Sequence, residues 1–268
     1  MDKLLRDGVA LAYEEEGDGD PPLLLVHCWC GDHTFMAPQR EHFSTGHRVV
    51  SVDLRGHGES DKPVQDYTVA GFADDLVWLC GQLGVEKPVV IGHSMGGNIA
   101  LELAASYPDF PSAIAVLESI ILPSSELSRI LAQGGEALRG PEFQSVARSL
   151  VDGVCLATDN AARKERIKEV MASAPQHVMS SAFDQHILLW DGAAAAAACQ
   201  VPVLYVGGAN PPTDTDRLRE LCPQVAIGQT VGAGHFNNQE VPEQVNAMIE
   251  RFLTLNGLHE PVEAGTAA

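Results

Sequence analysis

The sequence predicts an α/β fold with a mostly parallel central sheet flanked by helices and an inserted helical cap. Short, near-continuous runs of Val, Ile and Leu end at turn residues, as expected for strands that are buried on both faces of a sheet. Helical patterns follow these runs, and one long segment interrupts the alternation. The predicted strands cover residues 22–27, 48–53, 88–93, 113–118 and 201–207.

The helical patterns between the strands indicate the layers that cover the sheet. "FADDLVWLCGQLG" (72–84) and "NIALELAASYP" (98–108) separate predicted strands in the first half of the chain. "PEQVNAMIERFLTL" (242–255) places its apolar residues on one helix face and predicts the last helix. The tail after it, "NGLHEPVEAGTAA" (256–268), is expected to be loose.

The stretch from 123 to 192 lacks a clear strand and carries patterns such as "SELSRILAQGGEALRG" and "ARKERIKEVMASA". At about 70 residues it is too long for a simple connection in a compact domain. The sequence therefore predicts a core of residues 1–122 and 193–268 and a helical cap of residues 123–192.

Composition narrows the range of functions. The chain has 268 residues, of which 45% are hydrophobic, so a single large domain is expected. Its net charge of -19 disfavours nucleic acids and anionic membranes as partners, and we expect a cytoplasmic protein that acts on a small molecule. Six scattered cysteines predict reduced thiols rather than a disulfide framework. Because no motif implies a metal or other cofactor, none is expected.

The stretch "VIGHSMGGNIA" (90–100) places Ser94 in a Gly-x-Ser-x-Gly sequence between a predicted strand and a predicted helix. In this context a sharp turn exposes the serine side chain, and glycine neighbours permit the close approach of the backbone. Ser94 is the predicted nucleophile. A serine hydroxyl needs a base close by in space, and His235 in "VGAGHFNNQE" is one candidate, in a segment that follows a strand-like run and precedes the last helix.

Three motifs in order resemble the α/β-hydrolase superfamily over nearly the whole chain. "LLLVHCWCGDHTF" (23–35) is similar to its His-Gly oxyanion segment, with Cys28 in place of the usual glycine. "VVSVDLRGHGESDKP" (49–63) resembles its second loop, and 90–100 its nucleophile turn. The resemblance implies that His235 is the catalytic base and that the backbone N–H groups of Trp29 and Met95 form the oxyanion hole.

The third member of the predicted triad is open between two places in the chain. In most of the superfamily an aspartate follows the strand that corresponds to 201–207, but here that position is Pro211. Glu118 ends the preceding apolar strand, where a charge needs a partner. We favour Glu118, with Asp214 or Asp216 as the alternative and a weak or absent acid as the remaining possibility.

The remaining site predictions concern the pocket. His93 flanks the serine and is predicted to line the substrate pocket together with Trp190 of the cap. Phe183, Leu188 and Leu189 are further candidates for the lining, or for the interior of the cap. Other histidines, among them His186, carry no motif and are assigned packing or surface positions.

These residues predict a serine hydrolase that cleaves an ester or lactone, with an amide as a further candidate bond, in a small and largely apolar molecule. The alternative is a cofactor-free dioxygenase of the same fold, in which a His–acid dyad deprotonates an N-heteroaromatic substrate. "WCGDHTF" (29–35) and the displaced acid resemble that group, whereas Gly31 and Met95 depart from it. A non-catalytic, receptor-like binding protein is a third reading.

Overall fold

A computed structural model describes residues 1–258 and contains one eight-stranded sheet in the order β1-β2-β4-β3-β5-β6-β7-β8. From β3 to β8 all neighbours are parallel, whereas β1 pairs antiparallel with β2 and β2 antiparallel with β4. The strands are β1 Asp2–Arg6, β2 Val9–Glu16, β3 Leu23–Val26, β4 Val49–Asp53, β5 Val89–His93, β6 Ala113–Leu117, β7 Val203–Gly207 and β8 Val225–Gln229.

The central strands explain the apolar runs in the sequence. Every residue of β3 to β7 is buried, because helices cover both faces of this part of the sheet. Alternate residues face opposite layers: Leu24 and Val26 pack into one apolar cluster, and Leu23 and Leu25 into the other. The predicted α/β class with a mostly parallel sheet is confirmed.

The N-terminal hairpin of β1 and β2 is not among the predicted elements. Asp7 and Gly8 make its turn, with φ of 51° and 82°. An Asp-Gly pair between two short strands is a recognised signal for a tight hairpin turn. The signal was therefore present, but the strands are largely exposed and lack the continuous apolar run that marks the central strands.

Helices form the two layers around the sheet. The first layer contains α2 and α3, and the second contains α1 and α11, whose Phe252 and Leu253 pack against the sheet. Thr68 caps α2 by accepting a hydrogen bond from the N–H of Gly71, and Gly84 ends that helix with φ of 62°. The core helices are α1 Ala37–Phe43, α2 Val69–Leu83, α3 Met95–Ser106, α9 Thr215–Leu221, α10 Asn237–Glu240 and α11 Pro242–Leu255.

Between β6 and β7 the chain is helical, as the sequence predicts for residues 123–192. A π-helical stretch, Asp184–Leu189, continues directly from the fourth of these helices. The role of this segment as a cap stays a prediction at this point. Its helices are α4 Ser125–Ala137, α5 Phe143–Val154, α6 Ala161–Ala172, α7 Gln176–Phe183 and α8 Gly192–Ala198.

The last helix ends at the predicted residue, Leu255, and most of the tail predicted to be loose lies outside the described residues. Within residues 1–258, no helix is both long and apolar enough to span a lipid bilayer.

Candidate active site

Ser94 lies at the turn between β5 and α3, at the carboxyl edge of the sheet. Its φ of 54° and ψ of -116° are unusual for a residue with a side chain, and such strain is often found at functional sites. A side chain at Gly92 would collide with the backbone of Gly96, and one at Gly96 with the backbone of Val26. The glycines therefore permit the turn. Ser94 is 8% exposed, and it lines a cavity above the edge of the sheet.

His235 and Glu118 meet at the same cavity. Glu118 directly follows β6, has φ of 49° and is 3% exposed. Its Oε1 accepts a hydrogen bond from the N–H of Gly208, and its Oε2 lies 3.7 Å from His235 Nδ1. That separation is within ion-pair range and longer than a hydrogen bond. The buried carboxylate of Glu118 thus faces Nδ1 of the His235 imidazole. The other ring nitrogen, Nε2, is left for another partner.

The backbone of His235 is fixed from two directions. Its N–H donates to the carbonyl of Val154 in α5 at 3.1 Å, and its carbonyl accepts from His93 Nε2 at 2.7 Å. Among the described residues, no hydrogen bond joins Ser94 Oγ to the imidazole. Hydrogen bonds between catalytic groups are often long before substrate binds. Ser94, His235 and Glu118 all line the cavity, so the structure brings the three predicted catalytic residues together.

The alternative acids lie elsewhere. Asp214 caps α9 by accepting from the N–H of Arg217, and its own N–H donates to Leu122. Asp216 has a side chain that is 92% exposed and pairs with Arg219 at 2.8 Å. Neither residue lines the cavity, so the placement of these side chains favours Glu118 as the partner of His235.

The two predicted oxyanion donors have free backbone N–H groups. Met95 is the first residue of α3, where a helix has no internal acceptor for its N–H. Trp29 lies in the loop after β3, and its indole Nε1 donates to the carbonyl of Met179 at 2.9 Å. Among the hydrogen bonds of the described residues, neither backbone N–H acts as a donor. Both N–H groups are therefore left without an acceptor in the described part of the chain, and their role as an oxyanion hole stays a prediction.

The cavity has a volume of about 380 Å³ and a largely apolar wall. Trp29 and Phe183 meet edge to face at 5.3 Å between ring centres on one side of it. The segment between β6 and β7 supplies much of the wall, including Leu127, Leu131, Leu150, Val151, Met171, Phe183, His186 and Ile187.

Two of the predicted pocket residues do not line this cavity. Trp190 faces a separate surface depression beside α8, and its Nε1 donates to Glu102 at 2.8 Å. The prediction for Trp190 was wrong because the π-helical stretch ends just before it and the indole packs against α3 instead. His93 is wholly buried behind His235, and burial lowers its pKa to about 3. It supports the His235 backbone rather than forming pocket wall.

Phe183 is the one member of the apolar candidate group that faces the cavity. Leu188 and Leu189 turn toward solvent, with exposed fractions of 38% and 68%.

His186, predicted to be a packing or surface residue, lines the cavity. It is 5% exposed and lies in the π-helical stretch. Burial lowers its pKa to about 4, and the charge of His235 acts in the same direction. No motif marks this histidine, because its direction depends on the i→i+5 hydrogen bonding of a π-helix, which side-chain periodicity does not reveal.

His27 and His57 occupy the loop motifs as packed, neutral side chains. His27 accepts a hydrogen bond from the N–H of Leu54 at 3.0 Å and contacts the Cys28 carbonyl through Nδ1 at 2.7 Å. This bridge holds the loop that carries Trp29 against the neighbouring strand. Burial lowers the pKa of His57 to about 3, and its Nδ1 contacts the carbonyl of Arg55.

Comparison with known proteins agrees with this architecture. A model of the α/β hydrolase fold matches residues 21–140. The putative carbamate hydrolase RutD of Caulobacter sp. (strain K31) is 29% identical over 234 residues, which are 84% of this chain and 87% of that protein.

Two solved structures share both the fold and more than a quarter of the sequence. A thermophilic esterase from Thermogutta terrifontis is 28% identical, with a TM-score of 0.83 over 96% of this chain and 99% of that one. Est816, described as an N-acyl homoserine lactone degrading enzyme, is 26% identical, with a TM-score of 0.80 over 94% and 100%. The chain therefore has the α/β-hydrolase fold, and the proteins that it resembles indicate an enzyme of the hydrolase class.

Proposed function

We propose that this hydrolase cleaves an ester or lactone of a small, largely apolar molecule through an acyl-enzyme on Ser94. The observation that carries the proposal is the convergence of a strained serine and a buried Glu118–His235 pair on one apolar cavity. The esterase and lactone-degrading relatives support the bond type, and the carbamate hydrolase keeps an amide-like bond as a further candidate.

In the first half-reaction the Ser94 hydroxyl attacks the substrate carbonyl, and His235 Nε2 takes its proton. The negative oxygen of the tetrahedral intermediate accepts hydrogen bonds from the N–H groups of Trp29 and Met95. His235 then gives the proton to the leaving oxygen, the bond to that oxygen breaks, and the acyl group stays on Ser94. For a lactone the leaving alcohol remains attached to the acyl group.

In the second half-reaction a water molecule attacks the acyl-enzyme. His235 takes a proton from the water and returns it to Ser94 Oγ, which releases the acid. Glu118 stays ionised throughout, keeps the proton of the neutral imidazole on Nδ1 and stabilises the imidazolium. The hydrogen bond from Gly208 holds the carboxylate in this position.

The helical segment between β6 and β7 serves as the cap that selects the substrate. Its side chains supply an apolar wall over the carboxyl edge of the sheet, which favours aliphatic or aromatic acyl groups over charged ones.

The proposal is tested by labelling with an active-site-directed fluorophosphonate, read as intact-protein mass. We expect one adduct on the native chain and none on Ser94→Ala or His235→Ala. His177→Ala is the matched control, since that half-buried histidine contacts the Lys62 carbonyl and the Tyr67 ring and does not line the cavity, and it should label like the native chain. A folded native protein without an adduct, or an adduct that persists in Ser94→Ala, would refute the proposal.

A further inference from the structure

His186 presents an unused hydrogen-bond acceptor to the cavity. Its Nδ1 lies 2.6 Å from the carbonyl oxygen of Ala182, an atom that only accepts, so Nδ1 carries the proton. The other ring nitrogen, Nε2, then has a lone pair and no hydrogen. Because burial lowers the pKa of this histidine to about 4, the ring stays in this neutral form at neutral pH.

Within the described part of the chain, Nε2 of His186 has no hydrogen-bond partner. His57 Nε2 and His93 Nδ1 also have no hydrogen-bond partner, but both of those atoms are buried away from solvent. His186 instead belongs to the cavity wall, together with Ser94 and His235. A polar atom that is left open inside a largely apolar wall is a point at which a bound molecule can be oriented.

The histidine is held in place relative to the nucleophile. Asn98 Nδ2, one turn into the helix that Ser94 precedes, donates to the His186 carbonyl at 3.3 Å and to the Ile120 carbonyl at 3.2 Å. The Phe183 ring packs edge to face against the imidazole at 5.9 Å. The π-helical backbone that carries His186 is a form that recurs at functional sites. The acceptor is therefore preorganised with respect to the reacting serine.

We propose that His186 is a specificity residue whose Nε2 accepts a hydrogen bond from an O–H or N–H group of the substrate. The substrate class that follows is an ester or lactone that is apolar overall but carries one neutral donor in its acyl part. This inference rests on the proposed hydrolase function and adds a polar requirement to it. A site that accepts a hydrogen bond from a substrate donor disfavours the analogue without that donor. The preference is therefore measurable as the ratio of kcat/KM for the two substrates.

The test uses p-nitrophenyl hexanoate and its derivatives with a hydroxyl group at C3 or C6, each compared with its methyl ether. The native enzyme is expected to favour at least one hydroxy ester over its ether by about three- to tenfold, the contribution of one neutral hydrogen bond. In His186→Asn the side-chain amide can still donate to Ala182 but does not reach the Nε2 position, so the ratio should fall to about one. His177→Asn, outside the cavity, is the control, and it should keep both the native ratio and the native kcat/KM for unsubstituted hexanoate.

His186→Gln supplies the opposite variant, because its amide oxygen can take the position of Nε2. It should keep part of the preference, and it provides a second reading if the Asn variant does not fold. The inference is overturned if the native enzyme prefers neither hydroxy ester, or if the preference is unchanged in His186→Asn. In either case, Ser94-dependent hydrolysis of p-nitrophenyl hexanoate would leave the hydrolase proposal intact. Absence of any Ser94-dependent hydrolysis together with absence of fluorophosphonate labelling defeats both.

Discussion

Replacing Glu118 by glutamine removes the negative charge next to His235 and leaves the shape of the side chain. The amide oxygen can still accept from the Gly208 N–H, so the loss is electrostatic. At the 3.7 Å separation of Glu118 Oε2 and His235 Nδ1, two unit charges attract by about 4.5 kcal/mol at an effective dielectric constant of about 20. If this attraction is felt only when the imidazolium forms, Glu118→Gln should lower kcat by about 10³-fold.

The assay is steady-state hydrolysis of p-nitrophenyl hexanoate, with thermal unfolding of each variant as the check on folding. Asp214→Asn is the matched control, because asparagine caps a helix as well as aspartate does and Asp214 lies away from the cavity. We expect this variant and Asp216→Asn to stay within about threefold of the native rate. A Glu118→Gln variant within tenfold of the native rate, or a large loss in Asp214→Asn, would show that the acid has been misassigned.

Substitutions at Ser94, Gly208 and His57 test other parts of the structure. Ser94→Ala should lower ester hydrolysis by at least about 10⁴-fold while the thermal unfolding midpoint is retained; oxygen-dependent turnover of an N-heteroaromatic substrate by this variant would favour the dioxygenase alternative instead. Gly208→Ala places a methyl group 2.5 Å from Glu118 Oε1 and 2.6 Å from the Gly234 carbonyl, so we expect a large loss of kcat. Gly81→Ala is the control, because Gly81 lies on α2 with open space around it. This control should keep the native activity and raise the free energy of unfolding, measured in urea, by up to about 1 kcal/mol. His57 has its pKa lowered from 6.5 to about 3 by burial, so between these pH values the unfolded chain binds a proton that the folded chain does not, and stability falls as the pH falls. His57→Gln should make this decline shallower by about 1.4 kcal/mol per pH unit in urea unfolding between pH 6 and pH 4.5, and an unchanged slope would contradict the assignment of a buried neutral ring.

The sequence was sufficient for features that depend on neighbouring residues. The central strands were located to within one or two residues, because burial on both faces requires continuous apolar side chains. The turn at Ser94 could also be predicted, since its glycines lie within two residues of the serine. The hairpin of β1 and β2 was missed although its Asp7-Gly8 turn is local, because its exposed strands carry a weaker pattern.

The third catalytic candidate needed the tertiary structure. The sequence offered Glu118, Asp214 and Asp216 as carboxylates near the ends of adjacent strands. Only the packing of β6 beside β7, with the Gly208 N–H directed at Glu118, shows that this side chain turns toward His235. Asp214 instead caps α9, and the exposed side chain of Asp216 pairs with Arg219.

The sequence by itself determined the fold class and the turn at Ser94, because short-range backbone geometry and the periodicity of apolar side chains are written in consecutive residues. Only the tertiary structure decided which side chains face the cavity. It turned Trp190 toward Glu102 and His186 toward the cavity, although the two residues are close in the chain. The direction of a side chain in a helical segment depends on the local helix type and on contacts with elements distant in sequence, and neither is contained in the one-dimensional pattern.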